Sequence, residues 1–349
     1  MRTDMPKLGW QRYVHYLGQC VSIESDHVIA VDLLEAFLGS HFAFTGAPRG
    51  EPFATVRLTR RSCPISAARF ADGEPVFVRR SASPYFTLPA DRLTSDDIEY
   101  VRCRQSGTVF AFCGRLITVH LPFDGFALDI IELMRDLFFK RLDVAGTLAL
   151  HSTALERGGQ AVLVVGRKGA GKTTLALRLV NEQGFRFVSG DKAFISVERG
   201  VAYVSGWPDY PHIGAGTLKS MPTFAEALGA DPGFIATLPD TEKLPLDPGL
   251  FRSAVSHASR GRYPVRCVLY PDVASQVAPS MTVLDKHASL LAANIETPFG
   301  DTWKWTTFQH PVDHAERVGM AELANLQAWR VNGSATFDDA WFENGRVHA

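Results

Sequence analysis

Ala161-Val162-Leu163-Val164-Val165 runs without a break into Gly166-Arg167-Lys168-Gly169-Ala170-Gly171-Lys172-Thr173, and Thr174-Leu175-Ala176-Leu177-Arg178-Leu179-Val180 follows at once. The apolar, β-branched run predicts a buried strand, and the last segment has the spacing of an amphipathic helix. Between them, Gly166 to Thr173 satisfies G-x-x-x-x-G-K-[ST] in full. Glycine lets a backbone curl until several N–H groups point inward at phosphate oxygens, in conformations that a Cβ obstructs. The helix that starts at the end of the loop adds the positive end of its dipole. Lys172 has the length to reach β- and γ-phosphates, and Thr173 offers a hydroxyl to Mg²⁺. The expected nucleotide-binding set is Gly166, Gly169, Ala170, Gly171, Lys172, Thr173 and Thr174, with ATP and Mg²⁺ as the implied ligands. The competing reading is a glycine-rich turn that matches by chance. A strand before it and a helix after it argue against that.

Outward from the loop the texture is α/β. Leu148-Ala149-Leu150-His151 reads as a strand whose last residue lies 15 positions ahead of Gly166. Phe185-Arg186-Phe187-Val188 reads as the next strand and leads into Ser189-Gly190-Asp191-Lys192. Ala193 to Val197 and Val201 to Val204 suit a hairpin, and Arg266 to Tyr270 a core strand. Asp231 to Gly261 is rich in Pro, Gly and Asp, which predicts loops; from Glu322 a helix and a strand are expected.

The first part of the chain has a different grammar. Thr55 to Leu58, Pro75 to Val78, Tyr85 to Leu88, Ile98 to Arg104, Thr108 to Cys113 and Leu116 to Leu121 are short β-type runs separated by turn residues. Val28 to Leu38 reads as a short helix. Pro122-Phe123-Asp124-Gly125 punctuates the end of this region, and Phe126 to Leu142 follows as an amphipathic helix. Ile130, Leu133, Met134, Leu137 and Phe138 make its apolar face; Asp129, Glu132, Arg135, Asp136 and Lys140 fill the other. The expected organisation is a mainly antiparallel β domain over 1–125 and an α/β P-loop domain over 126–349, entered through the helix 126–142.

Bulk properties narrow the class. A chain of 349 residues has room for two domains, and 46% hydrophobic with 21% charged residues is ordinary for a globular protein. A net charge of −1 supplies no field toward nucleic acid or an anionic membrane. No apolar run approaches the roughly 18 residues of a membrane span. Cys20, Cys63, Cys103, Cys113 and Cys267 are scattered, without a C-x-x-C pair, so neither a zinc site nor a disulfide framework is suggested. The N-terminus lacks the apolar core of a signal peptide, and a reducing, cytoplasmic setting is expected.

With Leu150-His151-Ser152-Thr153-Ala154-Leu155 ahead of the loop and Phe185 to Asp191 behind it, the chain resembles the HPr kinase/phosphorylase family and its wider relatives. The resemblance covers about residues 146–205 and extends more loosely to about 275, where Gly261-Arg262-Tyr263-Pro264-Val265 is similar to a family segment. It implies a P-loop kinase domain of the HPr kinase/phosphoenolpyruvate carboxykinase type and transfer of the γ-phosphate to an acceptor. The acceptor class is a small metabolite or peptide carrying a hydroxyl; a homo-oligomer is left open. The family carries two adjacent carboxylates after the strand, whereas this chain reads Gly190-Asp191.

Asp191 is the expected metal support with Thr173, or the proton acceptor; His151 is the other candidate base, and with Lys172 these make the expected catalytic set. Arg167 and Lys168 read as solvent-facing. Lys192 either neutralises phosphate or pairs with Asp191. Gly206-Trp207-Pro208-Asp209-Tyr210-Pro211-His212 is expected as an acceptor-site wall, with a packing plug as the alternative. Lys243 and Arg262 are candidate sources of positive charge, with solvated surface side chains as the leading alternative, and Trp303 and Trp305 read as packing residues. Two rival functions stay open: a nucleotide-binding regulatory module with little turnover, which the lone carboxylate favours, and a carboxykinase-like lyase.

Overall fold

The computed structural model describes residues 9–26, 28–81, 86–122, 127–272, 278–299, 317–333, 337 and 340–343. The chain is mixed α/β with large sheets, and mostly β. It divides after Ala145 into two compact units: Met1–Ala145 with Thr297–Pro311, and Gly146–Glu296 with Val312–Ala349.

In the first unit, β1 (Trp10–Tyr16), β2 (Gln19–Ser25), β3 (Ala43–Thr45), β4 (Ala54–Thr59), β5 (Glu74–Arg79), β6 (Leu88–Ser95), β7 (Ile98–Cys103), β8 (Val109–Cys113) and β9 (Leu116–His120) form one sheet among the described residues. Its order is β3-β1-β2-β4-β9-β8-β7-β6-β5. The pairings are antiparallel except β2–β4 and β4–β9, which are parallel. Two-residue turns close β1–β2 at Leu17-Gly18 and β6–β7 at Asp96-Asp97, all four residues at positive φ, the geometry whose twist matches the strands. Helix α1 (Val28–Leu38) falls where the sequence predicts it. The sequence marks no strands over Trp10–Ser25: Leu17-Gly18 lacks the Asn or Asp that usually signals such a turn. The predicted run from Tyr85 begins outside the described residues, and Leu88 opens β6.

Helix α2 (Ala127–Val144) bears on the boundary expected near residue 125. It belongs to the first unit rather than leading into the second, so the division falls at Ala145 and not near residue 125. Phe123-Asp124-Gly125, the punctuation on which the earlier boundary rested, lies outside the described residues. The charged face is buried as well: Asp129, Glu132, Arg135 and Lys140 are all under cover with Ile130, Leu133, Met134, Leu137 and Phe138. The apolar side carries Phe138 against Phe42 and Phe53, with ring centroids 4.9 and 5.6 Å away. The polar side is neutralised in place. Arg79 and Arg135 both reach Glu132 Oε1, at 3.0 and 2.6 Å; Lys140 meets Asp136 at 2.5 Å; and Ser106 donates to Asp129 Oδ2. Periodicity cannot distinguish a solvated polar face from one paired by a strand residue 53 positions away, as Arg79 is from Glu132.

The second unit is built on two long strands that each serve two sheets. In β10 (Leu148–Arg157), residues 148–151 pair with β13 (Lys192–Glu198), and residues 152–157 pair with β11 (Gln160–Val165). Residues 154–156 also pair with β12 (Arg186–Ser189). The chain continues through β14 (Val201–Gly206), β15 (His212–Gly214) and β16 (Lys243–Pro245) to β17 (Arg262–Asp272). β17 pairs β14 through its first residues and runs parallel to β11 through its middle, so β10, β11, β17, β14 and β13 close on one another. β18 (Ser280–Leu284) and β19 (Gln327–Asn332) extend the sheet beyond β17. Alternate residues of β11 enter different cores. Ala161, Leu163 and Val165 pack inward with Leu148, Leu150, Ile195 and Val268; Val162 and Val164 pack outward. That outward layer is covered by α3 (Lys172–Gln183) through Leu175, Ala176 and Leu179. Burial on both faces is why the run is apolar throughout.

The region 231–261, expected as loops, holds helices at Pro232–Thr237 and Pro248–Ala254 and the strand β16. Both helices start at Asp-Pro-Gly. Asp231 caps Gly233 N, and Asp247 caps Gly249 N and Leu250 N, with the proline in the first turn where no N–H is needed. The residues that signal a turn here begin a helix. The tail does give a helix, Met320–Ala324, and then β19.

Two measurements check this packing. Asp129 is buried, its Oδ1 has no hydrogen-bond partner, and burial lifts its carboxyl above the ordinary 3.8, opposed by hydrogen bonds led by that of Ser106. The folded chain therefore holds more protons than the unfolded one just above pH 3.8, so this contribution to stability is lost as pH rises through the window. Asp129→Asn should flatten that dependence and at neutral pH match or exceed the wild type, by about 1 kcal/mol; urea denaturation at several pH values reads both. In the second unit, β13 and β14 are joined by exposed Arg199 at φ 51 and Gly200 at φ 78. Arg199→Asn should stabilise by roughly 0.5–1 kcal/mol, since asparagine tolerates the left-handed region; an unchanged melting temperature would contradict the turn assignment.

Candidate functional site

Strand register brings the predicted residues together. Ser152 pairs with Val165, so Gly166 emerges beside His151; His151 in turn pairs with Lys192, so Asp191 arrives on its other side. Lys172, in the first turn of α3, closes the group from above the loop. Its Nζ donates to Gly166 O at 2.7 Å, to Arg167 O at 3.3 Å and to His151 Nε2 at 2.7 Å. An ammonium has three protons and no lone pair, so His151 accepts at Nε2 and carries its hydrogen on Nδ1. That hydrogen faces Asp191, with the backbone O at 3.2 Å and Oδ1 at 3.3 Å.

The loop itself needs its glycines. Gly169 and Gly171 stand at φ 84 and 96, and a Cβ on Gly166 would lie 3.3 Å from Ala170 Cβ. Ala170 is buried, its N–H held by Arg167 O at 3.1 Å, while Arg167 and Lys168 are exposed as expected and Gly169 is exposed beside them. Gly171 caps α3 in a left-handed conformation and Gly184 ends it in another. Thr173 is half-buried in the first turn, and Thr174 Oγ1 shares a hydrogen bond of 2.7 Å with Thr217 Oγ1 in α4 (Ala215–Ser220).

Burial pushes the Lys172 ammonium down to about 8; the Asp191 and Glu296 carboxylates act against that shift, and Lys243 adds to it. His151 is lowered too, first by burial and then by the Lys172 and Lys192 charges, against Asp191 and Glu296. At neutral pH the lysine is therefore charged and the imidazole neutral, as the hydrogen bonds require.

Other candidates divide clearly. Lys192 joins the centre, but its Nζ meets Glu296 Oε2 at 2.9 Å. Lys243 belongs to it through its charge on Lys172. Arg262 does not: it pairs with Glu198 and lies over the Tyr203 ring at 4.9 Å. Trp207 is 3% exposed, packs on Phe194 at 4.8 Å between ring centroids and donates its backbone N–H to Ser189 Oγ, which makes it a packing plug. Trp303 and Trp305 lie outside the described residues. Glu296 is the residue that sequence reasoning missed. It sits in no motif and is delivered by an isolated bridge, Leu150 with Ile295, flanked by His151 N–Asn294 O and Glu296 N–Ala149 O, both 2.8 Å.

Among the described residues no group of three or more His, Cys, Asp and Glu side chains could hold a metal ion by itself. A magnesium ion carried in with phosphates needs few protein ligands, and Thr173 and Asp191 suit that role by their oxygen chemistry. No protein-family model matches this chain, and no curated protein is similar to it.

The loop's strain is directly measurable. At Gly169 an added Cβ meets nothing within 4 Å, so only the backbone at φ 84 resists substitution. Gly169→Ala should cost about 1–2 kcal/mol and Gly169→Asn distinctly less; equal losses in urea denaturation would show that the loop does not hold this conformation.

Proposed function

We propose that this chain is an ATP- and Mg²⁺-dependent phosphotransferase that passes the γ-phosphate to a hydroxyl of a small metabolite or peptide. The fold behind it is read as a P-loop kinase domain of the HPr kinase/phosphoenolpyruvate carboxykinase type. One observation carries the reading: the loop lysine, a neutral histidine and an acid from three separate elements meet at the mouth of a glycine-rich strand–loop–helix. Phosphoryl transfer has a loose transition state, so positioning and charge neutralisation supply most of the acceleration. In this reading the loop amides and Lys172 hold the phosphates. Thr173 and Asp191 would hold Mg²⁺, which neutralises charge on the transferring group. Lys243 and Lys192 add positive charge around it, while His151 keeps Lys172 aimed across the loop.

The rival is a nucleotide-binding regulatory module with little turnover, favoured by Gly190 where the resembled family has a second acid. Calorimetry with ATP, with and without Mg²⁺, tests the binding half. Lys172→Ala should leave the chain folded and abolish ATP binding and turnover, and Thr173→Ala should weaken binding only when Mg²⁺ is present. Transfer from γ-labelled ATP tests the rest: Asp191→Asn should lower it by ~10²-fold, the scale of losing one charge-stabilising contact at the transferring group, with ATP affinity in the absence of Mg²⁺ little changed. A wild type that binds ATP without labelling any acceptor or releasing phosphate would favour the regulatory module.

A further inference from the structure

Proton acceptance from the attacking hydroxyl has no settled owner among His151 and Asp191. His151 spends Nε2 on Lys172 and has its Nδ1 hydrogen turned toward Asp191, so neither nitrogen faces an acceptor with a lone pair. Asp191 is 59% exposed with its Oδ1 3.3 Å from His151 Nδ1, and in the reading above it serves the metal. Glu296 differs on each count. Its Oε2 is anchored by Lys192 Nζ at 2.9 Å. Its Oε1 stands 3.6 Å from His151 Nδ1, beyond a direct hydrogen bond, and accepts none from another described residue. Its backbone N–H donates to Ala149 O at 2.8 Å beside the isolated bridge of Ile295 with Leu150, which ties the residue to β10.

We propose that Glu296 is the acceptor-side carboxylate of this centre: it takes the proton of the attacking hydroxyl while Asp191 stays with the donor phosphates. The assignment rests on the phosphotransferase reading. In the step, the acceptor O–H proton passes to Glu296 Oε1 as the new O–P bond forms. The bond from the γ-phosphorus to the bridging oxygen breaks with its electron pair leaving on the β-phosphate of ADP, and Glu296 later releases the proton to water. A second carboxylate is therefore supplied after all, from a position 105 residues beyond Asp191 in place of the adjacent one.

Binding of MgADP with and without aluminium fluoride tests this without needing the true acceptor, since the fluoride complex mimics the transferring group with water as nucleophile. Glu296→Gln should weaken the MgADP–aluminium fluoride complex by at least ~10-fold and leave MgADP within about twofold, because a base acts only at the transition state. Glu296→Asp should recover part of the loss, and Lys192→Met should cost less than Glu296→Gln. Unchanged affinity for the fluoride complex in Glu296→Gln would overturn the assignment. So would a Lys192→Met loss equal to it, which would make Glu296 a support for Lys192. A wild type that binds no MgADP would instead sink the phosphotransferase reading on which the assignment rests.

Discussion

Strand β10 changes partners between His151 and Ser152, and the second unit is organised around that exchange. Before it the strand runs with β13 and with the segment at Ile295; after it, with β11 and β12. Where two sheets part company, backbones diverge and side chains gain room to converge. His151 occupies that fork. The glycine loop leaves β11 one residue beyond the pairing of Ser152 with Val165, and Asp191 precedes the pairing of His151 with Lys192. The polar centre is thus a consequence of register: a slip of one residue in β10 would turn His151 to the opposite face and scatter the group.

Within the centre, burial and charge pull against each other. Removing Lys172 from water disfavours its ammonium, and two carboxylates recover only part of that loss. The three hydrogen bonds to Gly166, Arg167 and His151 are the remaining compensation. The same accounting applies to α2 in the first unit, where Glu132 is covered but takes Arg79 and Arg135 together. In both places a charged side chain is tolerated inside because its neighbours are pre-arranged to meet it, and in both a local partner is joined by one from another element, His151 in the first and Arg79 in the second.

How far the sequence reaches follows from this difference in range. The strand–loop–helix at Ala161–Gln183 was legible because motif, periodicity and capping glycines all act within a few residues. So were the strand at Arg186–Ser189 and the placement of Asp191 and His151 near the loop. Glu296 was not, since a single β-bridge delivers it and nothing in Asn294-Ile295-Glu296 marks that event. Trp207 looked like a binding-loop aromatic because proline and glycine surround it; only the packing on Phe194 identifies it as filler. The Asp-Pro-Gly pairs at 231 and 247 carry information compatible with either a turn or a helix start, and the apolar residues that follow decide it. The true extent of the first unit was hidden for a related reason: the charged face of α2 resembles a solvated one until Arg79 and Ser106 are placed beside it.

The parallel pairing of β11 with β17 also bears on how the unit comes to be made. A strand lying beside a partner about 100 residues later in the chain has one edge unsatisfied until that partner exists. During synthesis β11, with its five consecutive apolar residues, therefore emerges with only β10 for company and waits for residues 265–269. β17 in turn waits for β19, near the end of the chain. Over that interval the strand that launches the glycine loop presents an unpaired apolar edge, the kind of segment prone to association with other chains.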